Sequence, residues 1–365
     1  MLFYNKKGFF VEKLIAKLEN DDNLNFDDAL KLYNLDLHML GKYANKIREK
    51  KFGKKTYFNI NRHINPTNIC KDICKFCAFS ANRKNPNPYV LSIKECVEIA
   101  KNAYKKEAKE VHIVSAHNKE VGYDYYMNIV KEIKKELPDI HIKAFTAAEI
   151  HFLSEVSNKS YEEVLEDMIK AGVDSMPGGG AEIFDEEVRN IICKGKVSSK
   201  NWLKIHNLWH NLGKKSNATM LFGHIESRAN RIDHIFRIKE LQNKTDGFNA
   251  FIPLVYQRKN NYLKVEKFLS GVEILKTIAI SRILLKNILN IKAYWVTTTL
   301  NLSLVAQEYG ANDIDGTIEK ESINSAAGAN SLKGLSVDEL VYLIKDSGFI
   351  PVERDSLYNE LKVWH

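Results

Sequence analysis

Cys70, Cys74 and Cys77 stand in the run N-P-T-N-I-C-K-D-I-C-K-F-C-A-F-S, a C-x3-C-x2-C spacing. Three thiolates on one short loop can hold a four-iron cluster through three of its irons. Clusters that only carry electrons normally have four cysteines. A missing fourth ligand leaves an open coordination position, which is what a metal needs in order to bind a substrate. Such an iron can chelate the amino and carboxylate groups of S-adenosylmethionine (SAM), and one electron then cleaves the sulfonium to release a 5′-deoxyadenosyl radical. Zinc is the competing reading, but structural zinc sites pair C-x2-C with a second pair of ligands, and no second pair exists here. His63, seven residues before Cys70, is a possible fourth ligand, yet it reads as the end of a strand. Cys96 and Cys193 are isolated in helical patterns and read as small buried hydrophobes.

The elements that must position this loop follow from periodicity. The chain has 365 residues, 44% of them apolar, and a formal net charge of +8. That length suits one α/β barrel with extensions, and that apolar fraction supports a sizeable core rather than disorder. Helical spacing of apolar residues marks Phe10–Leu18, Phe26–Tyr33 and Met39–Lys50. Short apolar runs then alternate with helical stretches. The candidate strands are Tyr57–Ile64, Val111–Ser115, His141–Thr146, Val173–Met176, Ala218–Phe222, Phe248–Pro253, Ala293–Thr297 and Asn312–Asp315. Ser92-Ile-Lys-Glu95 and Ser160-Tyr-Glu-Glu163 are capping boxes that start two of the intervening helices. Eight strand–helix units predict an α/β fold with parallel strands and crossover helices, closed as a (β/α)8 TIM-type barrel. A doubly wound open sheet is the alternative. The expected organisation is a helical extension over residues 1–55, the barrel over 56–330, and a tail over 331–365 that packs on the barrel and ends in a short amphipathic helix.

Composition also bounds location and partners. The opening Met-Leu-Phe-Tyr-Asn-Lys-Lys leads into an amphipathic helix without an uninterrupted apolar run or a cleavage site, which argues against a signal peptide. Ile274–Leu289 is the most apolar stretch, but Lys276, Arg282 and Lys286 break it, so no membrane span is expected. A cytoplasmic, reducing setting is the expectation, and it suits cluster thiolates. Lysines are scattered along helical faces with no aromatic-interleaved basic stripe, so nucleic acid is not an expected partner. The positive balance helps collect a small anionic substrate.

In such barrels chemistry sits on the loops at the carboxyl ends of the strands. The cysteines follow the first strand, Ser115-Ala116-His117-Asn118 the second and Thr146-Ala147-Ala148-Glu149 the third. Pro177-Gly-Gly-Gly-Ala-Glu182 follows the fourth, Gly223-His224-Ile225-Glu226 the fifth and Tyr256-Gln257-Arg258 the sixth. Thr297-Thr298-Thr299 and Asp315-Gly316-Thr317 follow the last two. Phe76 is placed to meet an adenine, or else anchors its loop. Gly178 and Gly179 suit close approach of backbone to a ligand. Glu182 is a candidate for ribose hydroxyls or the SAM amino group, or else a helix-start carboxylate. Gly223 and Glu226 are candidates at the adenine edge. Arg62, His63, Arg83, His117, His224 and Arg258 are candidates to meet a substrate carboxylate, with His117 and Arg258 preferred because each follows a strand-end element away from the cluster cysteines.

C-x3-C-x-F-C on the first barrel loop resembles the radical SAM superfamily. The longer strings R-H-I-N-P-T-N-I-C, E-V-H-I-V-S-A-H-N, A-G-V-D-S-M-P-G-G-G-A-E-I-F, T-M-L-F-G-H-I-E and F-I-P-L-V-Y-Q resemble the aminodeoxyfutalosine synthase family, over nearly the whole chain and including the P-V-E-R-D-S-L-Y-N tail. The superfamily often carries G-G-E after the second strand to hold the SAM amino group. This chain has Ser115-Ala116-His117 there, so that role falls to other groups.

The resemblance implies one [4Fe-4S] cluster on the three cysteines, and SAM consumed as a co-substrate. It implies addition of the 5′-deoxyadenosyl radical to the enolpyruvyl methylene of 3-[(1-carboxyvinyl)oxy]benzoate, attack on the ring, ether cleavage and loss of a carboxylate. The products are 6-amino-6-deoxyfutalosine, methionine and bicarbonate, on a route to menaquinone. It also implies an external one-electron donor such as flavodoxin or ferredoxin. Sibling enzymes, the dehypoxanthine futalosine cyclase and the deazaflavin-precursor synthase, abstract hydrogen and release free 5′-deoxyadenosine. A non-catalytic iron–sulfur carrier or sensor is the reading from another class, and the large barrel and absent fourth cysteine argue against it.

Overall fold

In a computed structural model describing residues 2–82, 84–266, 268–318, 321–329 and 334–365, with side chains from residue 11 onward, the first predicted strand is two. β1 (Lys55–Asn59) and β2 (Asn61–Ile64) are separated only at Ile60. They are followed by β3 (Glu110–Ile113), β4 (His141–Lys143), β5 (Ser175–Met176), β6 (Lys215–Phe222), β7 (Phe248–Val255), β8 (Asn290–Ile291), β9 (Asp313–Gly316), β10 (Ile350–Arg354) and β11 (Glu360–Val363). β2 to β8 form a seven-stranded sheet in sequence order, every pair parallel. β9 pairs parallel with β1. Lys292, just beyond β8, bridges Asp313, and the Ala293 amide donates to Asp313 O at 2.8 Å. The ring therefore closes β8 to β9 to β1, which excludes the open sheet and leaves the barrel strands without a free edge. Gly316 is required at the closure, because a Cβ there would lie 2.2 Å from Asn59 O.

Crossover helices sheathe the ring, and their starts are local. Ser92 and Glu95, and Ser160 and Glu163, form the expected capping boxes. Thr146 and Glu149 form a third, so the predicted strand His141–Thr146 ends at Lys143 and its last residues cap the helix Ala147–Ser157. The N-terminal helices Leu2–Glu19, Phe26–Leu32 and Leu37–Phe52 precede the barrel, and the last packs on helix Gly271–Leu284. Arg282 in that apolar helix is fully buried, donating to Gly310 O at 2.6 Å, Leu289 O at 2.7 Å and Asn312 Oδ1 at 2.7 Å. Among the described residues no helix is long and apolar enough to cross a membrane.

Two expectations are corrected. The seventh strand is Asn290–Ile291, not Ala293–Thr297; Trp295–Thr298 is a helical turn. Its aromatic and β-branched residues read as a strand. They are instead packed with Ile252 and Ile318, and Trp295 Nε1 donates to Gly316 O at 2.9 Å. The tail does not end in a helix. Helix Val337–Asp346 leads into β10, and β11 pairs antiparallel with it. β10 lies beside β1 as β3 lies beside β2, because β10 offers β1 a parallel partner below the point where β3 begins. The expected boundary between 330 and 331 lies outside the described residues.

Candidate functional site

The strand ends surround a cavity of 280 Å³, lined by Cys70, Cys74, Cys77 and Phe76 on one side and by Ser115–His117, Pro177–Gly180, Glu182 and Lys196 around it. The loop that carries the cysteines is knitted by its own polar residues. Asn65 Nδ2 donates to Val114 O at 2.8 Å, Thr67 Oγ1 to Tyr89 O at 2.8 Å, and Asn68 Nδ2 to Asn87 O at 3.0 Å. Lys71 N donates to His117 O at 3.0 Å and Lys75 N to Ile192 O at 2.8 Å. The three thiols are half-buried and free, whereas Cys96 and Cys193 are buried away as expected. Three soft sulfur donors on the wall of one cavity fit a four-iron cluster held at three corners. Burial, helped by neighbouring thiols and carboxylates, raises the Cys70 and Cys74 thiols, and a bound cation would favour their thiolate form.

His117 lies against this loop. Its amide donates to Cys70 Sγ at 3.4 Å, its Nδ1 lies 2.8 Å from Asp72 Oδ2, and its ring stacks on Phe152 at 5.0 Å and 2°. Burial pulls His117 below its usual range, so it is a neutral imidazole donating to an ionised Asp72. Glu182 is not a helix-start carboxylate: Asp185 caps the next helix, accepting from Val188 N at 2.9 Å. Glu182 lines the cavity in a left-handed backbone conformation, φ +48°, with Oε1 2.7 Å from Lys196 Nζ. Such strain in a non-glycine residue persists only where the surroundings over-determine it. Lys196 also lies over the Phe76 ring at 5.6 Å. Gly178 has no room for a side chain, since a Cβ would meet Asn217 O at 2.7 Å and Ala218 C at 2.8 Å. At Gly179 a Cβ would meet Thr146 Cγ2 at 2.8 Å. Buried Arg189 holds this loop from behind, donating to the carbonyls of Gly180, Ala181, Ile183 and Val197.

Other candidates do not reach the cavity. Glu226 accepts from Gly223 N at 2.7 Å, His224 N at 2.8 Å and Arg231 Nε at 2.7 Å, so its oxygens are occupied within its own turn and helix. His224 packs beside it, 3.1 Å from Glu226 Oε2. Gly223 has φ +88° and faces Leu269. Arg258 donates to Val265 O and lies over the Phe268 ring at 3.9 Å. Arg62 lines a neighbouring cavity instead. Arg83 lies outside the described residues. Conversely, Asp72, His112 and Lys196 line the cavity and were not singled out. Asp72 had a sequence signal, lying between two of the cysteines; Lys196 had none.

Ser115 is fixed by Glu149, which accepts from Ser115 N at 2.7 Å and Thr146 N at 2.8 Å. Burial pushes the Glu149 carboxyl from 4.5 up to about 7 against these amides. Its contribution to stability is therefore full below the ordinary carboxyl value and falls as pH rises through about 7. Glu149→Gln turns an amide NH2 toward one of the two N–H donors, and is expected to cost about 1–3 kcal/mol near pH 5. The deficit should shrink near pH 8, where the wild type must hold a buried charge. Urea unfolding at both pH values checks this; an equal cost at both would contradict it.

The radical SAM superfamily profile matches residues 64–238, and the CofH/MqnC C-terminal region matches 245–364. An aminodeoxyfutalosine synthase from Thermus thermophilus is 42% identical over 356 residues, 96% of each chain. A 5-amino-6-(D-ribitylamino)uracil–L-tyrosine 4-hydroxyphenyl transferase from Methanococcoides burtonii is 37% identical over 343 residues, covering 92% of this chain and 95% of the relative. The solved FeFe-hydrogenase maturase HydG from Carboxydothermus hydrogenoformans superposes with a TM-score of 0.77 over 97% of this chain and 82% of its own, at 19% identity, a likeness of fold alone. With three free thiols on a cavity at the strand ends of a closed barrel, and with relatives this similar along its length, the chain belongs to the radical SAM superfamily, as an enzyme of the transferase-type group that includes the aminodeoxyfutalosine synthases.

Proposed function

We propose that the chain catalyses the aminodeoxyfutalosine synthase reaction, joining the adenosyl 5′ carbon of SAM to the enolpyruvyl methylene of 3-[(1-carboxyvinyl)oxy]benzoate and forming 6-amino-6-deoxyfutalosine, methionine and bicarbonate. The observation that carries this reading is the 42% identity to the Thermus synthase across 96% of both chains. When bound and reduced by an external one-electron donor of the flavodoxin or ferredoxin kind, a four-iron cluster with SAM at its open iron supplies the adenosyl group for this chemistry.

The chain's own residues position and shield. Cys70, Cys74 and Cys77 would hold three irons of such a cluster. Gly178 and Gly179, packed tightly against Asn217, Ala218 and Thr146, present backbone to the cavity that would take the nucleoside, and Glu182, held by Lys196, offers a carboxylate oxygen to its polar groups. Asp72 and His117 brace the cysteine loop. Ile252, Leu254 and Tyr256 add apolar surface to the cavity lining and help exclude bulk water from it. Arg258, turned to Val265 and Phe268, takes no part in this arrangement unless it moves.

A second reading keeps a specific support: relatives at 37% identity carry the tyrosine 4-hydroxyphenyl transferase name. The two differ in the fate of the adenosyl carbon. Anaerobic incubation of reconstituted protein with SAM, reductant and the enolpyruvyl benzoate is expected to yield a nucleoside that retains the adenosyl unit, with free 5′-deoxyadenosine as a minor product. Deoxyadenosine formed one-for-one with substrate consumed, and turnover of tyrosine with the ribitylaminouracil instead, would move the chain to the second reading.

A further inference from the structure

Nearly every ionisable group that lines the cavity already has a partner. Asp72 is paired with His117, Glu182 with Lys196, and Asp315 with Lys292 at 3.1 Å. Glu321 accepts from the amides of Ile323, Asn324 and Ser325, each at 2.9 Å. His63 and His112 are different. They are register partners on β2 and β3, with ring centroids 4.7 Å apart at 63°. Both line the cavity, while their strand neighbours Ile64, Val111 and Ile113 are buried on the other face. Strand alternation thus turns both imidazoles into the barrel. The Nε2 of each is buried without a hydrogen-bond partner. Two unsatisfied ring nitrogens side by side are costly, and a native site with such groups calls for a ligand that satisfies them.

We infer that His63 and His112 form the seat for the carboxylate on the substrate's aromatic ring, each donating an Nε2–H to one carboxylate oxygen. The inference rests on the reaction proposed above. It follows from polarity along the cavity. The histidines sit within the strands, and the cysteines sit on the loop beyond the strand ends. The enolpyruvyl methylene must meet the adenosyl carbon at the cysteine end, so the ring carboxylate extends toward the histidines. Ile252, Leu254 and Tyr294 also line the cavity and suit the ring.

The pair also has a signature in protons. Burial holds both imidazoles below their usual range, with Glu110 and Asp315 opposing that shift and Lys143 adding to it; Glu321 also opposes it at His63, and His63 adds to it at His112. The free pair is neutral. A carboxylate arriving against it favours one imidazolium, so binding takes up a proton and weakens as pH rises.

Calorimetric titration of the cluster-reconstituted protein with 3-[(1-carboxyvinyl)oxy]benzoate, and with 2-phenoxyacrylate, which lacks the ring carboxylate, tests this. The wild type is expected to prefer the dicarboxylate by about 10- to 100-fold, with proton uptake visible as a buffer-dependent heat. His63→Leu and His112→Leu should each bring that preference close to parity and abolish the uptake, while binding of 2-phenoxyacrylate, iron content, SAM affinity and melting temperature stay near wild type. His63→Gln and His112→Gln should restore part of the preference. A wild type without the preference, or Leu variants that keep it, overturns the inference. A histidine-dependent preference without any adenosylated product would leave the seat standing and remove the proposed reaction.

Discussion

Replacing Cys70, Cys74 or Cys77 by Ala is expected to abolish both the cluster and SAM cleavage. Reconstituted wild type should hold about four irons per chain; each of these variants should lose them, with the brown absorbance of the cluster. Cys96→Ala and Cys193→Ala should retain iron and activity, because neither residue is part of the cavity lining; Cys193 is the stricter control, since it is buried behind the cysteine loop within electrostatic reach of Cys74. The contrast tests the open coordination position directly. Loss of the cluster in Cys96→Ala or Cys193→Ala would mean a fourth thiolate, and the iron would then have no vacancy for SAM. Iron analysis and single-turnover release of methionine, measured anaerobically on all five variants, decide the matter.

Asp313→Ala is expected to cost about 3–5 kcal/mol of stability, because it leaves a fully buried guanidinium without its counter-charge. Arg354 on β10 is 1% exposed, and its Nε donates to Asp313 Oδ2 at 2.7 Å. Asp313 lies on β9, and β9 and β10 flank β1 on either side. The pair therefore ties the tail to the strand that closes the barrel. Burial opposes the Arg354 charge, but Asp313 outweighs it and holds the guanidinium protonated. The urea midpoint should fall with little change in slope. Asp313→Ala combined with Arg354→Met should recover part of the loss, since it removes the unpaired buried charge but leaves the Asp315 amide without Asp313 Oδ1 as acceptor. A single-variant cost below about 1 kcal/mol would show that the bridge behaves as an exposed one.

Much of the scaffold was legible because its signals are local. Capping boxes at Ser92 and Ser160 need only four consecutive residues, and they formed. Strand periodicity located the barrel strands to within a few residues. It failed at Ala293–Thr297 because aromatic and β-branched residues satisfy a strand pattern equally well when they are wedged at the barrel mouth. It failed again at the C-terminus, where β11 exists only because β10 offers it an edge.

The sequence alone determined the chemistry of the first loop. The spacing of Cys70, Cys74 and Cys77 places three sulfurs on one turn whatever surrounds them, and the glycines after the fourth strand permit a tight backbone path, which the structure uses to pack against Asn217, Ala218 and Thr146. Tertiary structure alone decided which polar residues at the strand ends face that space. Glu226 and Arg258 stand at the expected positions in the chain, yet Arg231 and the backbone amides of Gly223 and His224 claim the first, and Val265 and Phe268 the second. Asp72 and Lys196 are in the cavity because His117 and Glu182 meet them there. His63 and His112, distant in sequence, are neighbours only through the register of β2 against β3. A buried polar group takes the partner that best offsets its lost water, and that partner is chosen by packing across the barrel, which no local spacing records.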